Sequence, residues 1–377
     1  MNVKALHIVE NLGRGAVETW LVRMLVHAKS RDMNLQWTFY CTSDGDGPLR
    51  EIAAGAGARI VHSPVPIGKK WRFINALRRE MHGGSYDVVH CHHDLISGIY
   101  LLASANLKIP RRIVHVHNAD ESLLTPSRVK QFLVREPLRA VCLTMSDRVV
   151  GISNHTLDAF LHGRRRRPGR DVVHYYGIDS SPYETADADR LGFRHELGLP
   201  DSAKILLFAG RMVPEKNPLF ALKVLAEMRY IDPMVVGVFA GTGGLEAQLR
   251  EQASDLNLES GFRFLGWRTD IADIMHCSDW FILPRPERPM EGFGIAVVEA
   301  QLAGLRLLLS RGIADDPLLP TAVYRRLPLD AGAAAWAQAA CELWDAPAPS
   351  KAAALVALRA SPMDMDRALD DLLGLYA

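Results

Sequence analysis

Short runs of β-branched and aromatic residues alternate with amphipathic helical patterns along most of the chain, and the alternation restarts near its middle. Parallel strands joined by helical crossovers produce this pattern, so it restricts the fold to helices laid over parallel sheets. Candidate strands cover residues 3–9, 36–41, 58–62, 88–91, 112–115, 148–151 and 171–175, then 204–209, 234–239, 262–265, 280–283 and 305–309. After the first, Val17, Trp20, Leu21, Met24, Leu25 and Ala28 recur at steps of three and one, the spacing of a helix with one apolar face. Residues 219–228, 244–254 and 295–303 read as helices of the second half, the Ala-rich stretch from Ala331 as a helical tail, and 95–107 as a core helix. A Ser-, Asp- and Pro-containing stretch at 179–200 reads as the linker. The expected fold is α/β, with two Rossmann-like, doubly wound parallel-sheet domains at 1–180 and 181–354 facing across a ligand cleft.

The 377 residues carry Lys+Arg 44 and Asp+Glu 43, a balance that gives no reason to expect bulk nucleic-acid binding. The charges are unevenly placed. Residues 1–185 hold 25 Lys/Arg against 17 Asp/Glu, so the first half is basic and the second acidic, and an anionic partner is expected at the first. Five dispersed cysteines without a C-x-x-C pair point to a reduced, cytoplasmic chain. No signal peptide or membrane-spanning run is expected; the basic segment Lys69-Lys70-Trp71-Arg72, with Trp71, Ile74, Leu77 and Met81 at helical steps, could lie on an anionic membrane surface or simply pack as a core stripe.

The strongest local signal is Glu291-Gly-Phe-Gly-Ile-Ala-Val-Val-Glu299. Gly292 and Gly294 allow close backbone approach, and a helix starting near Ile295 offers free N–H groups to an anion. Ionised Glu291 and Glu299 accept hydrogen bonds from sugar hydroxyls, although acidic residues near a helix start are also common without a ligand. Arg211 follows an apolar strand and Lys216 the turn after it, two cations that could neutralise a pyrophosphate without a metal. Gly210 and the turn Gly241-Thr242-Gly243-Gly244 add backbone donors at strand ends.

Gly-Arg-Gly-Ala-Val-Glu at 13–18, Gly-Arg-x4-Lys-Asn-Pro at 210–218, Phe-Leu-Gly at 264–266 and Glu-Gly-Phe-Gly-x4-Glu-Ala at 291–300 occur in this order over nearly the whole chain. Together they resemble the retaining, GT-B-fold glycosyltransferases of family 4. The segments Val114-His-Val-His-Asn118 and 294–301 are most similar to those of exopolysaccharide and capsule glycosyltransferases. The resemblance implies transfer of a sugar from a nucleotide-diphosphate donor, UDP by family frequency, to a hydroxyl acceptor that is a saccharide or lipid-linked saccharide. It implies that Arg211 and Lys216 bind the diphosphate, Glu291 the transferred sugar and Glu299 the ribose. Gly13, Gly15, Gly266, Trp267, Gly292, Phe293, Gly294 and Ile295 would complete the donor site. His117, Asn118 and Gly15 would face the acceptor, with His117 favoured over His115 as the catalytic-site histidine. No metal or other cofactor is implied, and the tail from about 355 would pack back on the first domain.

The chain also departs from the family pattern. Leu-Pro-Arg-Pro-Glu-Arg-Pro-Met precedes Glu291 and brings Glu287 as a rival; Tyr176 and Arg306 stand where Asn and Pro are usual. His90-Cys-His-His-Asp94 is set aside as a metal site because neighbours on a strand alternate between faces. The Asp44-Gly-Asp46 sequence reads as a turn, and Gly13-x-Gly15 is an incomplete dinucleotide fingerprint. Two other activities fit the same residues less well: a nucleotide-sugar epimerase and a non-catalytic, membrane-associated scaffold that binds nucleotide sugars.

Overall fold

The computed structural model of the chain describes residues 3–45, 47–119, 131–184 and 189–377. Asp46 of the Asp44-Gly45 turn and residues 185–188 of the expected linker therefore lie outside the described residues. The chain forms two compact units, Met1–Gly177 with Met365–Ala377, and Ile178–Asp364.

The first unit is built on β1 (Lys4–Val9), β2 (Gln36–Cys41), β3 (Arg59–His62), β4 (Val88–Cys91), β5 (Arg111–Val116), β6 (Arg148–Gly151) and β7 (Asp171–Val173). They are parallel and ordered β3-β2-β1-β4-β5-β6-β7. Leu6, Ile8, Val89, Cys91, Val114 and Val116 fill one face of the sheet and pack with Phe73, Leu77 and Tyr100. The opposite face carries His7, His90 and His115 under Trp20 of the Ala16–Ser30 helix. That helix buries Trp20, Leu21, Met24, Leu25 and Ala28, as their spacing requires.

The second unit contains β8 (Lys204–Ala209), β9 (Val235–Ala240), β10 (Phe262–Gly266), β11 (Trp280–Leu283), β12 (Arg306–Ser310) and β13 (Tyr324–Leu327), parallel in the order β10-β9-β8-β11-β12-β13. Strand order reverses between β1 and β4 in one unit and between β8 and β11 in the other. Loops leaving the carboxyl ends of such neighbours diverge to opposite sides and leave a crevice, the usual ligand position in open parallel sheets.

Several boundaries differ from the sequence reading. The units part at Gly177 and Ile178, and the return to the first unit begins at Met365; Lys351–Ala360 is a helix of the second unit. The 95–107 core helix is shorter, one 3-10 turn at Asp94–Ile96 followed by Ser97–Ala103. The apolar stripe of the Lys70–Gly84 helix divides: Leu77 and Met81 are buried with Phe73 and Ala76, whereas Trp71 is 81% exposed. At about 100° per residue, Trp71 lies some 160° around the helix from Phe73, so the two cannot share a face. Among the described residues, no helix is long and apolar enough to cross a membrane.

Candidate functional site

In the second unit, β8 ends at Ala209 and the chain turns through Gly210 and Arg211 into the Pro214–Lys216 turn. Asn217, with φ of 53°, redirects it into the Pro218–Ile231 helix, and its Nδ2 donates to Pro284 O at 3.1 Å. This bond ties the loop after β8 to the loop after β11, across the strand-order reversal. Lys216 Nζ reaches Glu291 Oε2 at 2.7 Å, and Arg285 Nη1 reaches the same oxygen at 3.1 Å. Glu291 N donates to Gly312 O at 2.8 Å, which holds the carboxylate's own backbone. Burial pushes the Glu291 carboxyl pKa upward, but Lys216, Arg285 and Arg211 together outweigh it and hold the group below the ordinary carboxylate range. The rival Glu287 is exposed.

The glycines around this cluster are dictated by sterics. Gly241 has φ of +135°, and a Cβ there would stand 1.9 Å from Gly210 O; one on Gly243 would meet Met212 O at 2.4 Å. The two loops are laced by Met212 N to Thr242 O at 2.9 Å and Leu245 N to Met212 O at 3.0 Å, and Gly241 N donates to Gly266 O at the end of β10 at 2.7 Å. Gly294, with φ of 88°, starts the Ile295–Leu302 helix in a left-handed conformation that disfavours a Cβ. Together these segments border a cavity of about 260 Å³ lined by Gly210, Arg211, Gly241, Trp267, Arg268 and Glu299, among others. Of the donor residues expected from sequence, Gly210, Arg211, Gly241, Trp267 and Glu299 line this cavity; Lys216 and Glu291 are joined to each other beside Arg285. Phe293 is buried. Arg285 and Arg268 were not among the expected residues, Arg285 because its only sequence signal was the departure from the usual approach to Glu291.

In the first unit, Gly13 and Gly15 lie between β1 and the Ala16–Ser30 helix, with Gly13 N bound to Asn11 Oδ1 at 2.7 Å and Gly15 at the helix N-cap. His117 follows β5 and is buried. Asp94 accepts from His117 N at 2.8 Å and from Asn118 Nδ2 at 2.9 Å, fixing this turn from its neighbour strand. Both ring nitrogens of His117 are engaged: Nδ1 with Tyr176 Oη at 2.8 Å and Nε2 with His92 Nδ1 at 3.0 Å. Burial drives its pKa down to about 3, so the ring is neutral at ordinary pH.

Residues 17–181 match the family described as Glycosyltransferase Family 4, and residues 189–313 match Glycosyl transferases group 1. The two matches together cover most of the chain, which is a glycosyltransferase of GT-B fold. EpsF of Bacillus subtilis (strain 168), named for glycosyl transfer, is 25% identical to this glycosyltransferase over 89% of this chain and 86% of its own length. An Escherichia coli UDP-Gal:alpha-D-GlcNAc-diphosphoundecaprenol alpha-1,3-galactosyltransferase is 29% identical over 65% of this chain and 63% of its own length. The crystal structure of Anabaena HepE in complex with UDP shares the fold of this glycosyltransferase, with a TM-score of 0.76 and 18% identity over 99% of both chains. The activity class is glycosyl transfer from a nucleotide-sugar donor.

Proposed function

We propose that this glycosyltransferase moves a sugar, with retention of anomeric configuration, from a UDP-sugar to a hydroxyl of a lipid-linked saccharide during synthesis of an exopolysaccharide, capsule or other cell-surface glycan. The observation that carries the donor assignment is the meeting of Arg211, Lys216, Arg285, Glu291 and the glycine turns at the reversal point between β8 and β11. Arg211 and Lys216 neutralise the diphosphate and the charge that develops on the leaving nucleotide, a contribution that needs no metal. Glu291 accepts hydroxyls of the transferred sugar and Glu299 those of the ribose. Gly241, Gly243, Gly266, Trp267 and the Gly292–Ile295 segment enclose the nucleotide. Asn118 and the turn positioned by His117 hold the acceptor.

The relatives support the finer reading. HepE has been crystallised with UDP, with UDP and glucose, and with UDP-glucose, and the Escherichia coli relative is named for a UDP-sugar and a diphosphoundecaprenol acceptor. Such an acceptor resides in a bilayer, and exposed Trp71 between Lys69, Lys70 and Arg72 suits the inner face of the cytoplasmic membrane, with the enzyme peripheral to it. Flotation with anionic liposomes at low salt, lost on replacing Trp71 and its basic neighbours, is the expected outcome.

The deciding experiment is calorimetry and thermal shift with UDP, GDP, ADP and their sugar conjugates, with chelator and then with magnesium. UDP at 100 times its Kd adds about 2.7 kcal/mol to the stability of the binding-competent state. The expected result is metal-independent stabilisation by UDP, abolished in Arg211→Ala. Absence of binding by all of the nucleotides would refute the donor assignment.

A further inference from the structure

The histidine-bearing face of the first sheet contains a second arrangement that sugar transfer does not use. His7 lies on β1, His90 and His92 on and just beyond β4, and His115 and His117 on and just beyond β5. These strands are adjacent in the order β1-β4-β5, and residues two apart point the same way, so the five rings gather on one face. Alternation along 90–94 separates His90 and His92 from Cys91 and His93, but it leaves His92 free to meet histidines of the neighbouring strands. Ring nitrogens of His92, His115 and His117 lie within 4.8 Å of one another.

The remaining nitrogens decide what these three can do. His92 Nε2 is bound to His7 Nδ1 at 3.1 Å, His115 Nδ1 to His90 Nε2 at 3.1 Å, and His117 Nδ1 to Tyr176 Oη at 2.8 Å. Each ring is thus oriented through one nitrogen; of the remaining three, His115 Nε2 has no partner among the described residues, while His92 Nδ1 and His117 Nε2 face each other at 3.0 Å, a contact that ligation of an ion would replace. Metal-bound histidines are characteristically held in this way, with the second ring nitrogen fixed by an outer partner. His115 Nε2 is fully buried and has no hydrogen-bond partner among the described residues. A buried polar atom left without a partner is costly, and a ligated ion removes that cost. His92 Nδ1 and His117 Nε2 are 3.0 Å apart, close to the ~3.4 Å between two nitrogens each about 2.1 Å from a tetrahedral ion.

We propose that His92, His115 and His117 form a three-histidine site for a divalent first-row transition ion in the first unit. An all-imidazole set selects zinc, nickel, cobalt or copper over magnesium or calcium, which require oxygen ligands. The ion ties the turns after β4 and β5 together beneath Trp20, whose ring centroid lies 5.3 Å from that of His115 and 6.1 Å from that of His117. The inference stands apart from the donor and acceptor assignments, because loading is read without any sugar transfer.

The test uses the full chain without a histidine tag, produced in media supplemented in turn with zinc, nickel, cobalt and copper, so that loading does not depend on entry into the folded core. Elemental analysis after desalting should give about one ion per chain in the wild type and in His195→Gln, an exposed histidine of the second unit. In folded His92→Gln and His115→Gln the content should fall by about tenfold or more. Should these variants fail to fold, X-ray absorption at the metal edge of the loaded wild type decides the matter, three imidazoles supporting the site and an oxygen-dominated shell refuting it. Substoichiometric content with all four ions, or unchanged content in folded triad variants, would also overturn it.

Discussion

Arg285 stands where the sequence departs from the family's usual approach to its first glutamate, and it shares Glu291 Oε2 with Lys216. Removing one member of a buried ion cluster leaves the others uncompensated, at a cost of about 3–5 kcal/mol for a well-buried pair. Apart from that stability cost, Glu291→Gln and Lys216→Ala remove the groups proposed to hold the transferred sugar and the diphosphate, and should lower kcat/KM by about 100-fold or more in steady-state assays while circular dichroism shows a folded chain. The pH dependence separates Arg285 from a purely structural residue. The folded pKa of Glu291 lies below the ordinary 4.5, so the carboxylate's stabilising contribution is present above 4.5 and is lost as pH falls through the depressed folded value. In Arg285→Gln, burial opposes fewer cations and the carboxyl titrates at higher pH. The acid limb of donor affinity should move upward relative to wild type; coincident limbs would show that Arg285 does not hold the carboxylate's charge.

The loops after β8 and β9 act as one element, since Gly241 lies against Gly210 O and Thr242 O accepts from Met212 N. A methyl group at 241 cannot be accommodated by side-chain movement, because the atom 1.9 Å away is backbone. Gly241→Ala should displace the Gly210–Arg211 turn and weaken nucleotide binding by tenfold or more in calorimetry, whereas Gly244→Ala, with no atom within 4 Å of its Cβ, should bind as wild type does. Sequence spacing reveals such an element where the residues concerned are local. Buried parallel strands appear as continuous apolar runs, which is why Lys204–Ala209 and Trp280–Leu283 are legible, while the edge strand Tyr324–Leu327, with Tyr324 and Arg325 exposed, is not. The Glu291 and Glu299 signal is likewise local, carried by two glycines and a helix start. The histidine layer is the opposite case: His7 and His92 touch only because β1 and β4 are neighbours, and alternation read along a single strand carries no information about strand order. Trp71 shows the limit of periodicity, since steps of three and four also admit a residue that opens a helix on its solvent side.

The chain crosses between its two units twice, and the second crossing returns only thirteen residues, Met365–Ala377, to the first. The physical role of that short return follows from what it buries. Leu369 and Leu372 are inaccessible, and Met365, Ala368 and Tyr376 are nearly so. At about 1.5–3 kcal/mol for each large apolar side chain fully buried, these contacts are comparable with the 5–15 kcal/mol that typically stabilises a whole domain. Polar contacts fix the register: His174 Nε2 meets Ala368 O at 2.8 Å, Arg31 Nη1 lies 3.2 Å from Asp366 Oδ1, and Tyr376 Oη reaches His90 Nδ1 at 3.1 Å. Ending the chain at Asp364 should thus unfold the first unit, or lower its melting transition by tens of degrees, because the stability removed is of the order of the total. All donor groups proposed on β8, β9 and β11 lie in the second unit, so its calorimetric transition should persist and should still rise with UDP. Tyr376→Phe removes only the hydroxyl and should cost about 1–3 kcal/mol, the penalty for leaving a buried partner such as His90 Nδ1 unsatisfied. If the truncated chain instead kept both transitions unchanged, the returning helix would be an accessory to the first unit and no part of its core.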